Sequence, residues 1–240
     1  MSRQIIRPYL TSSAVFNGSN TVVTSGINTG ITGNASFSMA ALININTTTN
    51  GAIMGFGGHT STNGVFLNSL DGFSFESSDG NYLLAASKPL GWVEVCGTFS
   101  GAPTGTATIY INGSNVGSAP GLTFTISNSP LYIGEFIYYS RGNINDVRLW
   151  NVCLSAATVS NMWFTGNIPY LGQSQLVRRY ILNDGTGSTP KDSSVNNDTA
   201  TSSNLTWSNN TFMKPRPIIS VPRKLISVPR KLITTKRLVA

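Results

Sequence analysis

The sequence predicts an all-β, antiparallel sandwich of the jelly-roll kind with one short helix and an extended C-terminal arm, and three observations carry that expectation. Only 10% of the 240 residues are charged while 40% are hydrophobic, against about 25% charged in an ordinary globular domain. Ser, Thr and Asn make up a third of the chain and there are 24 Gly, which supply turns and strand edges more readily than helices. Short apolar runs recur between turn residues at sandwich-like spacing. A coiled coil, a charged helical bundle and a typical helical enzyme are thereby excluded.

Taken in order, Ala14-Val15-Phe16 runs into the turn Asn17-Gly18-Ser19. Strands are then expected over Phe37 to Ile45, Ala52 to Phe56, Gly64 to Leu67, Phe73 to Phe75 and Tyr82 to Ala85. Trp92 to Phe99 and Thr106 to Ile111 alternate with period two and read as adjacent antiparallel strands. Asn112-Gly113 is the strongest short hairpin signal and leads into Ser114 to Gly117. Leu131 to Gly134 and Asn143 to Trp150 add two strands. Leu154 to Trp163 has a Ser N-cap and apolar residues at helical spacing, the one convincing helix. Leu176 to Leu182 and Leu205 to Trp207 return to strand, separated by the loop Asn183 to Ser188 and the polar stretch Asp192 to Ser203. Trp92, Val95, Tyr110, Ile133, Val147, Leu149 and Trp150 are expected in the core. The domain occupies residues 12–212, between an N-terminal extension (1–11) and the arm (213–240).

The net charge of +7 is unevenly placed. Residues 1–210 hold eight Lys/Arg and nine Asp/Glu; residues 211–240 hold eight Lys/Arg and no acid. The body is near neutral and offers no field to draw in nucleic acid, so nucleic acid is not an expected partner of the body. Met1 to Pro8 has no apolar core of a secretory signal, and no run of 18 apolar residues occurs, so neither a signal nor a membrane span is expected. Cys96 and Cys153 lack zinc-type spacing, and free thiols are expected over a disulfide. The several Asn-x-Ser/Thr sequons arise by chance in so Asn-, Ser- and Thr-rich a chain, and glycosylation is not expected.

The order of these pieces resembles a known family. Phe16 to Asn20, Phe37 to Leu42, Trp92 to Phe99 with Tyr110 to Gly113, Leu131 to Gly134, and Gly142 to Asn151 with Leu154-Ser155 together resemble the laminin-G-like branch of the concanavalin A-like lectin/glucanase jelly rolls, over about residues 12–165. The most specific part is Asp146-Val147-Arg148-Leu149-Trp150-Asn151-x-x-Leu154-Ser155 after a Gly. Leu176 to Gly187 with Lys191-Asp192-Ser193-Ser194 is similar to a segment often found beside such domains, where it adds strands to the sandwich. The resemblance implies that Asp146 and Arg148 form a framework ion pair rather than a pocket with Arg141.

Glucanases of that superfamily use paired carboxylates on one strand, because retaining chemistry needs two carboxyls about 5 Å apart. The nine acids here are scattered, and Glu76-Ser77-Ser78-Asp79 lies in a Ser/Gly loop, so no catalytic residues are expected. His59 has neither a nucleophile partner nor a second His and reads as an exposed loop residue. No metal centre is expected; calcium is the one cofactor the resemblance leaves open, with Asp71, Asp79 and Asn63 as conceivable ligands and turn-forming roles favoured for them. A glycan is the expected ligand of the body. Sugar binding needs aromatic faces beside polar contacts, which the loops offer at Asn63, Asn68, Asp71 and Asn81: Tyr138 and Tyr139 are the candidate platforms, Asn63 and Asp71 the candidate polar partners. The alternative is that Phe136 and Ile137 close the core while the tyrosines cover its rim.

The arm repeats Ile219-Ser220-Val221-Pro222-Arg223-Lys224-Leu225 as Ile226-Ser227-Val228-Pro229-Arg230-Lys231-Leu232, with a degenerate copy around Lys236-Arg237. Prolines at that period exclude a continuous helix, and 28 extended residues span up to roughly 90 Å. Exposed ion pairs at about 0–1 kcal/mol each cannot order such a chain against about 1–2 kcal/mol of backbone entropy per residue, whereas apolar burial on a partner can. The arm is therefore expected to anchor the protein, through these Pro, Arg, Lys and Leu positions, to capsid or other structural subunits of an oligomeric assembly. The leading expectation is a non-enzymatic virion decoration or fibre protein. The alternatives are an extracellular or surface polysaccharide-binding module and a nucleic-acid packaging protein acting through the arm.

Overall fold

The computed structural model describes residues 12–45, 51–58, 63–70, 72–78, 82–84, 87–166 and 174–209. The elements run β1 (Ser13–Asn17), β2 (Val22–Thr24), β3 (Phe37–Ile45), β4 (Ala52–Gly57), β5 (Gly64–Asn68), β6 (Ser74–Ser77), β7 (Tyr82–Leu84) and β8 (Gly91–Phe99). They continue with β9 (Gly105–Ile111), β10 (Ser114–Leu122), β11 (Leu131–Ile133), β12 (Arg141–Trp150), α1 (Ala156–Thr165), β13 (Leu176–Tyr180), β14 (Thr201–Ser203) and β15 (Thr206–Ser208). Antiparallel pairing sorts them into two stacked sheets. The eight-stranded sheet has the order β10-β9-β8-β3-β12-β1-β15, with β13 beside the far half of β12; the seven-stranded sheet has the order β14-β2-β11-β4-β5-β6-β7. The expected sandwich and its single helix are both present.

Local chemistry explains the register. Asn112 and Gly113 have φ of 51° and 75°, the left-handed pair that a two-residue hairpin between β9 and β10 requires. Asn112 Oδ1 accepts from Glu94 N at 3.0 Å and Asn112 N donates to Glu94 O at 2.9 Å, tying the hairpin to β8. Ser155 caps α1 by accepting from Thr158 N at 3.2 Å, and Gly166, at φ 73°, ends it.

The core lies between the sheets. Phe37 meets Phe56 edge-on at 5.1 Å and Phe75 at 5.7 Å, and Phe99 packs on Phe124 at 4.4 Å. Val95, Ile133, Val147 and Leu149 point into this core. Tyr110 and Trp150 are buried elsewhere, on the outer side of the eight-stranded sheet beneath α1, with Cys96, Val159 and Met162. Trp92 is only partly buried, beside Leu42 and Trp163. Cys96 and Cys153 are free thiols, and burial raises the pKa of both.

Four features differ from the sequence reading. Glu76 and Ser77, read as part of a Ser/Gly loop, belong to β6. Strands β2 and β14 were not expected; each is three residues long and owes its order to pairing, β2 with β11 and β14 with β2. Strand β10 continues to Leu122, because Pro120 and two register shifts are tolerated at an edge that need not donate hydrogen bonds outward. The polar stretch Asp192 to Ser203 is a folded element rather than a plain loop. Asp192 Oδ1 accepts from Arg179 N and Ser194 N, both at 2.8 Å, and Asp192 and Asp198 are buried. Strand β13 borders β12, β14 extends one sheet and β15 the other, so the segment from Leu176 to Ser208 closes both sheets, as the resemblance implied. Asn145 fills the fork between β1 and β13 by donating to Ser12 O and Leu182 O at 3.0 and 3.1 Å. The N-terminal extension, His59, Asp71, Asp79 and the whole arm from 213 lie outside the described residues.

Candidate functional site

Two clusters of buried charge serve the framework. Arg148 pairs with Glu94 at 3.1 Å and with Asp146 at 2.8 Å, and Arg179 reaches Asp146 at 2.9 Å. Asp146 sits at a register shift in β12 with φ of 39°, strained for a residue with a Cβ, and the two arginines hold it there. Burial alone would raise its carboxyl; Arg148 and Arg179 outweigh that and bring it down to about 2. The framework ion pair implied by the resemblance is thus present, enlarged by Glu94 and Arg179. Arg141 takes no part, since it begins β12 and packs over Gly18. The second cluster joins Arg178 and Asp198 at 3.2 Å. Nε is out of line for a hydrogen bond, so the contact is Coulombic, and Arg178 donates instead to the carbonyls of Val177, Ile27 and Asn28. A cleft of about 290 Å³ beside it is lined by Asn28, Asn151, Ser174 and Asn196. Asn151 and Asn196 donate their amides to Ser174 O and Val177 O, so part of its polar lining already serves the backbone.

The seven-stranded sheet offers a different surface. Val65 and Leu67 of β5 face the core and Phe66 faces outward, packed with Ala52 and Phe136. The register places Phe66 opposite Glu76, Asn68 opposite Ser74 and Ala52, and Gly55 opposite both Phe66 and Tyr132. All these residues therefore share the outer face, and the slip between Ala52 and Met54 turns both Ile53 and Met54 inward.

The loop after β11 folds back onto that face. Phe136 is fully buried, 5.3 Å from Phe66 and 6.1 Å from Tyr132 between ring centroids. Two glycines make its seat: a Cβ on Gly55 would lie 2.5 Å from Phe136 Cγ, and one on Gly64 would lie 2.5 Å from Cζ. Tyr138 O accepts from Ala52 N at 3.1 Å, and Ser140 N donates to Gly134 O at 2.7 Å. The loop is thus pinned at both ends and through its middle. Its tip presents Ile137, Tyr138 and Tyr139, 45%, 50% and 41% exposed.

The same outer face carries a polar group, on β6 across from Phe66. Glu76 Oε1 accepts from Asn68 Nδ2 at 3.0 Å and from Ser74 Oγ. Asn68 and Ser74 are each 2% exposed while Glu76 is half-buried, so buried donors steer a carboxyl that reaches the surface. Flat apolar rings next to an oriented acceptor can hold a polyhydroxylated ring by stacking and hydrogen bonding.

The sequence-predicted residues divide on this geometry. Tyr138 and Tyr139 are at the lip. Asn63 is not with them: it lies past Gly57 at the opposite end of β4, about 17 Å away along the strand, and its Oδ1 accepts from Thr125 Oγ1. The expected grouping of Asn63 with the tyrosines fails because β4 separates the two loops. Phe136 is buried as one reading held, though on the outer face, and Ile137 is exposed. Glu76 and Ser74 were not recognised as site residues; their strand is short, and only pairing with β5 shows which side they face, while Asn68, read from the sequence as a polar loop residue for a sugar, ends β5 buried and donates to Glu76. Among the described residues no group of three or more His, Cys, Asp or Glu side chains could hold a metal ion.

The fold defines the class as a two-sheet antiparallel jelly roll. A family model described as the concanavalin A-like lectin/glucanases superfamily matches residues 16–160, and the chain belongs to that superfamily. No curated protein sequence matches it. Among solved structures it is similar to a protein from Bacteroides ovatus with a suggested carbohydrate-binding role, at 20% identity and a TM-score of 0.63, covering 87% of this chain and 62% of that one. The chain thus spans less than two thirds of that relative. It is also similar to the heptameric SAP-like pentraxin of Limulus polyphemus, at 15% identity and a TM-score of 0.54, covering 66% of this chain and 85% of that one.

Proposed function

We propose that this protein is a non-catalytic carbohydrate-binding module whose ligand lies on the outer face of the seven-stranded sheet. The observation that carries the reading is the loop seated by Phe136 in the Gly55 and Gly64 slot, which fixes Tyr138 and Tyr139 at the start of β4, at the margin of the outer face that carries Phe66 and Glu76. The suggested role of the Bacteroides ovatus protein points the same way. Glu76 is the sole acid in the seven strands of this sheet, so they supply no carboxylate pair for glycoside hydrolysis. Among the described residues no helix is long and apolar enough to cross a membrane.

The comparisons favour a surface or extracellular polysaccharide-binding module over a virion component, although the sequence pointed first to the latter. The arm completes the reading as a tether, through the repeated Pro222-Arg223-Lys224-Leu225 and Pro229-Arg230-Lys231-Leu232, and a capsid subunit remains one structural partner it would suit. A glycan array with the wild type and with Tyr138→Ala/Tyr139→Ala tests the binding. Signals on polysaccharides that fall about tenfold in the double variant, with no reducing ends released, are expected. A folded wild type without signal overturns the proposal.

A further inference from the structure

Resting on that carbohydrate-binding reading, we infer that Glu76 makes the site selective for neutral glycans, by accepting hydrogen bonds from adjacent sugar hydroxyls and repelling uronates and other anionic sugars. The seven strands of the sheet contain no Lys or Arg, and Glu76 is the sole charged residue among them. Nothing on the strands themselves can therefore neutralise an incoming anion.

The orientation of the carboxyl is the second observation. Both of its hydrogen bonds go to Oε1, from Asn68 and Ser74. These donors are buried and cannot swing away, so the plane of the group is set before any ligand arrives. Oε2 has no partner among the described residues and retains its accepting capacity. An ionised carboxylate only accepts, so the complementary ligand group is a hydroxyl donor. A ligand carboxylate or sulfate would oppose acceptor to acceptor and charge to charge. Of the described charges around the face, Glu135 on the Phe136 loop is itself acidic, and the two cations are held off these strands, Lys88 Nζ donating to Leu70 O and the Arg141 stem packing over Gly18 on the other sheet. Asn68 sits behind Oε1 and is positioning rather than ligand-contacting.

The test uses the full chain, titrated with neutral galactan, mannan, xylan, arabinan and β-glucan and with polygalacturonate and alginate, by affinity electrophoresis and calorimetry at 0.15 M salt. The basic arm attracts polyanions by itself, so only binding that Tyr138→Ala removes counts as binding at this site. Wild type is expected to bind at least one neutral polysaccharide and neither polyuronate in the Tyr138-dependent manner. Glu76→Gln, shown folded by its thermal midpoint, is expected to weaken the neutral ligand about ten- to hundredfold, the range for a hydrogen bond to a charged group. Tyr138-dependent binding of a polyuronate, or unchanged neutral binding in Glu76→Gln, overturns the inference while the carbohydrate-binding reading stands. Absence of binding to any glycan overturns both.

Discussion

The seat of Phe136 is open to a direct energetic test. In Gly55→Ala the new methyl would lie 2.5 Å from Phe136 Cγ and 2.6 Å from Cδ2, contacts no relaxed structure keeps. Two responses are available. If the ring stays, the overpacking costs about 1–3 kcal/mol; if it leaves, a fully buried phenylalanine is exposed at about 1.5–3 kcal/mol. Either way the domain loses about 1–3 kcal/mol, a fall of about 2–12 °C in thermal midpoint for a domain of this size. Gly55 has no left-handed backbone, so strain at φ does not confuse the result. The decisive comparison is a double-mutant cycle with Phe136→Ala, read by urea denaturation. A Cβ on residue 55 would still lie 2.8 Å from Phe66 Cβ, so some cost persists in the double variant, but the part carried by Phe136 disappears. A coupling of about 1 kcal/mol or more is expected, together with weakened glycan binding in Gly55→Ala. Strict additivity would refute the seat.

Other outcomes follow from the same structure. Asp146 has a folded pKa of about 2 against 3.8 ordinarily, so its contribution to stability is fully present above pH 4 and is lost as pH falls through 2; the shift corresponds to about 2 kcal/mol. Asp146→Asn, which tolerates the left-handed backbone, should remove that segment of the stability curve, and identical curves for both proteins between pH 4 and 2 would contradict the ion-pair account. Val147 is fully buried in the core, so Val147→Asp should unfold the domain, and a midpoint within a degree or two of wild type would reject the β12 register. Deletion of residues 213–240 should leave the thermal midpoint within about 2 °C while abolishing incorporation into the parent assembly; full incorporation of the truncated chain would refute the tether.

Most of the strands were legible because their signals are local. Asn112-Gly113 demands a hairpin, the alternation of Trp92 to Phe99 demands a strand with one face buried, and Ser155 with Val159 and Met162 demands a capped helix. The short strands β2 and β14 were not legible, since their order comes from β11 and from the closing segment rather than from Val22-Val23-Thr24 or Thr201-Ser202-Ser203. Asp192 and Asp198 looked like loop residues in a polar stretch; only the folded chain shows the backbone amides from which they accept and the Arg178 guanidinium that pairs with Asp198. The same limit applies to the candidate site. Tyr138 and Tyr139 were identifiable as an aromatic pair in a loop, but the presence of Glu76 on the outer face depends on the register of β6. That is set by pairing with β5, and a register one residue different would turn Glu76 into the core.

The central claim, a glycan held between the Tyr138 lip and Glu76, is tested most directly by backbone amide NMR during titration with a neutral oligosaccharide that the protein binds. The largest shift changes are expected at Asn68, Ser74, Glu76, Tyr132, Tyr138 and Tyr139. Changes centred instead on the cleft at Asn28, Asn151 and Asn196 would contradict it.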